Sequence, residues 1–130
     1  MQIRKVSNVR IRSVHTSQPI TKNSIETLGI PQDEIEKYSL IASKLGVQES
    51  RILDGEDIVE LVTKTIHLAL DNACLDVSKI TTVICVTQTH TYLIPGFSSL
   101  LQAANKFSPE TRFLDLSQGC AGFVDGIQLA

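Results

Sequence analysis

One of the three cysteines in this 130-residue sequence has the surroundings of a nucleophile. Cys120 lies in a stretch of small residues, Ser117-Gln118-Gly119-Cys120-Ala121-Gly122, that predicts a tight turn. Residues 113–114 before it are typical of a buried strand, and the apolar residues within 123–130 have helical spacing. Unpaired N–H groups and the positive dipole end of a helix N-terminus favour a thiolate. The stretch therefore predicts a reactive thiol at the start of a buried helix.

Two other interpretations of Cys120 remain open at this point. A cysteine is commonly a small buried hydrophobic residue, and this interpretation is kept for Cys74 at a helix end and Cys85 in an apolar strand. A cysteine protease is the second, because residues 118–122 loosely match Q-A-C-[RQG]-G and His67 lies about 50 residues upstream. Two motif positions differ, however, and His67 falls within a helical pattern rather than a loop, so the protease interpretation is weak.

The elements that must position Cys120 alternate between helix and strand. The patterns predict strands at 9–16, 51–53, 80–87 and 112–116, and helices at 23–29, 31–45, 58–73, 97–107 and from 123 onward. The uninterrupted apolar run at 83–86 is typical of a strand buried on both faces. This order predicts an α/β layered fold with a central, mostly parallel sheet flanked by helices.

Composition narrows the class of protein. The chain is 42% hydrophobic and 20% charged, which is enough to bury the core of one domain. A net charge of −2 gives no reason to expect a nucleic-acid partner, and no apolar run is long enough to cross a membrane. Three widely spaced cysteines form neither a disulfide framework nor a paired metal-ligand motif, so we expect a cytoplasmic protein.

A family resemblance rests on the cysteine segment. Residues 113–123, FLDLSQGCAGF, closely resemble the nucleophile segment of β-ketoacyl-acyl carrier protein synthase III, F-D-[VL]-x-x-A-C-[AS]-G-F. The stretches at 45–52, 58–75, 76–86 and 95–104 are similar to further motifs of that family. The resemblance implies a thiolase-like fold of two similar halves. Residues 1–130 would be the N-terminal half, truncated within the nucleophile helix.

The resemblance also implies a reaction. Cys120 would attack the thioester of an acyl-CoA or acyl-ACP donor, and the acyl-enzyme would condense with malonyl-ACP in fatty acid or specialised acyl biosynthesis. The Cys120 backbone N–H would stabilise the oxyanion. No cofactor or metal is implied, and the full-length protein would be a homodimer. Because the family's catalytic histidine and asparagine lie in the second half, we expect this chain alone to be inactive. The alternative is a non-catalytic thiolase-like subunit that binds acyl carrier protein.

Three further residues are implied as substrate-binding. Leu40 and Lys44 occupy the positions where the family often has a tryptophan and an arginine that sandwich the adenine of CoA, which puts CoA as the donor in doubt. Ile94 aligns with a bulky residue that crosses the dimer interface and closes the partner's acyl pocket. The alternatives are a helix core residue for Leu40 and a loop residue packed under its own helix for Ile94.

The remaining titratable residues receive no catalytic role. His15 and His67 are predicted to be structural or solvated, and His90 lies on the loop near the family's substrate channel. Asp115 and Asp125 do not form a carboxylate pair for acid–base work.

Overall fold

The computed structural model describes residues 9–23, 29–47 and 49–130. The described residues form two compact units, one within residues 17–61 and the other made of residues 9–16 and 62–130. None of the helices in the described ranges has both the length and the apolar character that a transmembrane span requires.

The unit within residues 17–61 contains a short antiparallel strand pair and a helix. Strand β1 (Lys22–Asn23) pairs antiparallel with β2 (Ser50–Arg51), so the strand predicted at 51–53 is shorter and begins one residue earlier. The predicted helix is confirmed as α1 (Ile35–Leu45) and ends at Gly46, whose φ of 73° suits glycine. The capping box and helix predicted at 23–29 lie outside the described residues, apart from their ends.

The other unit is built on a parallel strand pair. Strand β3 (Thr82–Val86) and β4 (Arg112–Leu116) pair in parallel from Thr82 opposite Arg112 to Val86 opposite Leu116. Helix α3 (Phe97–Ala104) connects them and α4 (Gly119–Leu129) follows β4. A helix between two parallel strands is the βαβ arrangement that the alternating pattern predicts. The predicted α/β class with a parallel sheet and flanking helices is confirmed.

The two faces of the strand pair contact different helices. Asp115, on one face, accepts hydrogen bonds from Ser98 of α3. On the opposite face, Ile84, Val86 and Leu116 lie beside Gly126 of α4. Because side chains alternate along a strand, β4 separates the residues that anchor α3 from those that α4 covers.

Four predictions, which concern strand pairing, burial and helix length, are wrong. Residues 9–16 pair with no strand in the described part of the chain, since period-2 alternation does not by itself provide a partner; instead, the Arg12 guanidinium donates to the Ala73 carbonyl over 3.0 Å. Strands β3 and β4 are not buried on both faces, and α4 is mostly exposed. Helix α3 ends three residues early because Asn105 adopts an extended conformation and its side chain donates to the Leu101 carbonyl.

The longest helix has the predicted bounds but a strained end. Helix α2 (Ile58–Ala73) is capped by Asp57, whose carboxylate accepts the Val59 N–H over 2.8 Å. At the other end Cys74 takes a left-handed φ of 53°, and the Leu75 N–H donates to the Leu70 carbonyl. This Schellman geometry normally has glycine where Cys74 lies.

Replacing Cys74 with glycine is expected to stabilise the protein. A side chain with a Cβ pays a penalty in the left-handed region that glycine avoids, so the free energy of unfolding should rise by about 1 kcal/mol. Little packing is lost, because Cys74 is exposed. Urea denaturation measures the change. Gly46→Ala is the converse control, since Gly46 has the same geometry and no atoms crowd it; it should lose a similar amount. A stability for Cys74→Gly at or below that of the wild type would contradict the strain argument.

Candidate active site

Cys120 lies in the first turn of α4, three residues after Ser117, and its side chain is exposed. The chain reverses between β4 and α4 through Gly119, which has a φ of 56°. Only glycine adopts this conformation without strain, so Gly119 is what allows the cysteine to follow the strand so closely. The predicted order of strand, turn and helix is confirmed, but α4 begins at Gly119, four residues before the predicted start, so Cys120 lies in the helix and not in the predicted turn. The interpretation of Cys120 as a buried hydrophobic residue is wrong.

The N-terminus of α4 has no side-chain cap. Gln118 occupies the N-cap position, and its side chain makes no capping hydrogen bond. The first N–H groups of a helix have no acceptor within the helix, so those beside Cys120 are available to an anion. An oxyanion formed at a carbonyl bound to the Cys120 sulfur would lie near these donors, which is the electrostatic arrangement that acyl transfer requires.

The loop that follows β3 contacts residues 117–120, which we call the cysteine turn. His90 Nε2 lies 2.9 Å from Ser117 Oγ. A Cβ added to Gly119 would lie 3.2 Å from Gln88 Oε1, so the Gln88 side chain rests against this glycine. A cavity of about 170 Å³ lies here, lined by Val86, Thr87, Gln88 and Gly119. The ends of both parallel strands thus meet at the residues that precede the thiol.

The two other cysteines have different surroundings. Cys85 is 8% exposed, and burial, followed by the negative charge of Asp115, raises the pKa of its thiol to about 11. At neutral pH it is a protonated, inaccessible thiol, as predicted. Cys74 is exposed rather than buried, because it lies at the C-terminal end of α2. Of the three cysteines, Cys120 alone combines exposure with a helix N-terminus.

No protein-family model matches the chain. Curated relatives nevertheless align with nearly all of it. A β-ketoacyl-[acyl-carrier-protein] synthase III from Clostridium beijerinckii is 29% identical over 128 residues, which is 96% of this chain and 38% of that protein. The synthase III of Nitratidesulfovibrio vulgaris is 31% identical over 91 residues, or 69% of this chain and 27% of that protein. The chain resembles β-ketoacyl-[acyl-carrier-protein] synthase III. It spans less than two fifths of the length of these relatives.

Solved structures of synthase III enzymes share the fold. The enzyme from Aquifex aeolicus superposes with a TM-score of 0.75 at 24% identity, covering 92% of this chain and 38% of that one. The enzyme from Xanthomonas oryzae pv. oryzae superposes with a TM-score of 0.73 at 17% identity, and the match covers 92% of this chain and 37% of that one. The fold is therefore thiolase-like, as the resemblance implies.

The three substrate-binding candidates lie on exposed surfaces of two different units. Leu40 and Lys44 are one turn apart on α1, and Leu40 is 57% exposed, so its interpretation as a helix core residue is wrong. Ile94 belongs to the same unit as Cys120 and is 91% exposed, so it is not packed under its own helix. Their roles toward an acyl donor and an acyl pocket remain predictions.

The three histidines have different surroundings. His67 is exposed within α2, as its helical pattern predicts, and His15 is half-buried. His90 is half-buried at the cysteine turn, a contact that the sequence did not predict. No group of three or more potential metal ligands occurs among the residues whose placement the structure describes.

Asp115 has a structural role that sequence reasoning missed. Its Oδ1 accepts the Ser98 N–H over 2.9 Å and its Oδ2 accepts the Ser98 hydroxyl over 2.5 Å, so a β4 residue caps the N-terminus of α3. Gly96 makes the approach possible, because a Cβ there would collide with Asp115 Oδ2. The carboxylate therefore fixes α3 to the strand that leads to Cys120.

Proposed function

We propose that this chain supplies the acyl-accepting cysteine of a condensing enzyme of the β-ketoacyl-acyl carrier protein synthase III type. The observation that carries the proposal is the exposed Cys120 thiol in the uncapped first turn of α4, within a chain that resembles this family along its length. The first-turn N–H groups of such a helix are donors for the oxyanion that forms during acyl transfer.

In the first half-reaction the Cys120 thiolate attacks the carbonyl carbon of an acyl thioester. A new carbon–sulfur bond forms, and the negative charge moves to the carbonyl oxygen, where first-turn N–H groups of α4 donate to it. When the oxyanion collapses, the bond to the carrier sulfur breaks and the carrier leaves as a thiolate that takes up a proton. The acyl group is then held on Cys120 as a thioester.

In the second half-reaction malonyl-acyl carrier protein loses carbon dioxide. The resulting carbanion attacks the acyl-Cys120 carbonyl, a carbon–carbon bond forms, and Cys120 leaves as the thiolate. The family places a histidine and an asparagine for this step in a part beyond these 130 residues. The chain alone should accept an acyl group without completing condensation.

Donor recognition is proposed for Leu40 and Lys44. The exposed side chain of Leu40 and the ammonium of Lys44 are one turn apart on α1, where they would contact a CoA or an acyl carrier protein. Leucine does not stack on adenine as an indole does, which favours a carrier protein over CoA. Ile94 is proposed to reach a partner protomer's acyl pocket in a homodimer, since its side chain is free of its own helix.

Mass spectrometry of acyl adducts tests the proposal. The chain is incubated separately with acyl-CoA and acyl-acyl carrier protein and then digested. The peptide with Cys120 should gain the acyl mass, those with Cys74 and Cys85 should not, and Cys120→Ala should gain none. Absence of an adduct from both donors would overturn the catalytic proposal, and carrier-protein binding without an adduct would favour the non-catalytic subunit instead. With malonyl-acyl carrier protein added, no ketoacyl product should form.

A further inference from the structure

The cysteine turn has little support from its own side chains. Gln118 makes no capping hydrogen bond, and Gly119 has no side chain. As a glycine, Gly119 also has more accessible backbone conformations than any other residue would have at this position. The direction in which Cys120 projects from α4 therefore depends on contacts from outside the turn.

Those contacts come from the loop after β3, at three successive points. The Thr87 N–H donates to the Leu116 carbonyl over 3.0 Å, which extends the parallel ladder by one bond. His90 Nε2 then pairs with Ser117 Oγ over 2.9 Å, and the Gln88 side chain rests against Gly119. Strand end, turn and helix start are each held by the same four-residue segment.

The loop is itself ordered by a local turn. The Thr87 hydroxyl accepts the Thr89 N–H over 3.1 Å, which is a Ser/Thr turn of the kind that fixes loop conformation. His90 follows directly and is half-buried. The Nε2 nitrogen of His90 is engaged by Ser117, so this contact holds the turn in place rather than taking a proton from the Cys120 thiol.

We infer that His90 is a positioning residue for Cys120 and acts through the Ser117 hydroxyl. By holding the turn, it aims the thiol at the first-turn N–H groups of α4. These N–H groups stabilise the negative charge that develops during the reaction of the thiol only while the turn keeps the side chain beside them. The inference rests on the proposed function, because it takes Cys120 to be the residue that accepts the acyl group.

A double-mutant cycle on Cys120 alkylation tests this inference. Iodoacetamide labelling at one fixed pH is followed by mass spectrometry for each cysteine in the wild type, His90→Ala, Ser117→Ala and the double variant. Each single change should slow Cys120 labelling about fivefold, the factor expected from one lost hydrogen bond. The double variant should be no slower than either single variant, because both remove the same contact. Ser117→Thr, which retains a hydroxyl, should restore most of the rate.

Controls within the same chain separate positioning from unfolding. Cys85 is buried and labels only if the fold opens, while Cys74 is exposed and reports ordinary thiol reactivity. His67→Ala, which changes an exposed histidine on α2, should leave the Cys120 rate unchanged. If His90→Ala increases Cys85 labelling, the comparison of Ser117→Ala with Ser117→Thr decides instead.

Three outcomes would overturn the inference: an unchanged Cys120 rate in His90→Ala, multiplicative effects in the double variant, or equal rates for Ser117→Ala and Ser117→Thr. Alkylation requires no acyl transfer, so the two proposals fail separately. If the double variant is no slower than either single variant but no acyl adduct forms, only the proposed function is refuted. If an acyl adduct forms but the effects of the two substitutions on the Cys120 labelling rate multiply, only the role of His90 is refuted.

Discussion

Replacing Asp115 with alanine is expected to lower the free energy of unfolding by about 3 kcal/mol, because two hydrogen bonds to a charged group are lost together. Both donors belong to Ser98, which is 3% exposed, so the change leaves a buried N–H and a buried hydroxyl without the acceptor that they share. Urea denaturation followed by circular dichroism measures the change. The midpoint should fall while the slope with denaturant concentration stays constant.

Gly96 provides the control for this prediction. In the wild type, Gly96→Ala should destabilise the fold, because the added methyl group would occupy the space of the Asp115 carboxylate. In the Asp115→Ala background that space is empty, so the same change should cost little. The two substitutions should therefore be strongly non-additive. Additive losses would show that Asp115 does not cap α3 in the way described.

The local elements were predictable because their signals are local. Helix α2 begins after Asp57 and ends at Ala73, as predicted from a capping aspartate and an apolar stripe of helical period. The turn at Gly119 was predictable because small residues interrupt two apolar patterns. In each case the residues that determine the structure lie within a few positions of it.

What the sequence could not predict depends on pairs that are distant along the chain. Asp115 and Ser98 are 17 residues apart, and His90 and Ser117 are 27 residues apart. No periodicity or motif brings such pairs together; the parallel register of β3 and β4 does. The prediction that β3 is buried on both faces was wrong for a related reason. An apolar run indicates that a strand favours burial, but it does not show which elements pack against the strand.

The candidate site shows the same division. The place of Cys120 between a strand and a helix was predictable from residue types and spacing, but the contacts of the preceding residues with the loop after β3 were not. Leu40 and Ile94 were implied by resemblance alone, and their exposure excludes the structural alternatives without establishing a function. Local pattern thus locates the candidate cysteine, whereas the fold determines which residues contact its surroundings.

Gly122→Ala is expected to lower the free energy of unfolding by about 1–2 kcal/mol, although alanine favours helices. A Cβ at Gly122 would lie 2.5 Å from Val86 Cγ1, and valine has few rotamers with which to move aside. At this distance the overpacking cost lies in the upper part of its usual range of about 1–3 kcal/mol, so it exceeds the gain of about 1 kcal/mol from helix propensity by about 1–2 kcal/mol. Because the first turn of α4 must move away from β3, Cys120 alkylation should slow as well.

Gly126→Ala is the matched control, one turn further along the same face of α4. Its Cβ would lie 3.4 Å from Val86 Cγ2, close to ordinary contact, so helix propensity should decide the outcome and raise the free energy of unfolding by about 0.5–1 kcal/mol. The two substitutions are chemically identical and contact the same valine, yet they should have opposite signs. Equal effects would mean that the approach of Gly122 to Val86 does not set the position of α4. Gly122 would then not be needed for the packing of α4 against β3.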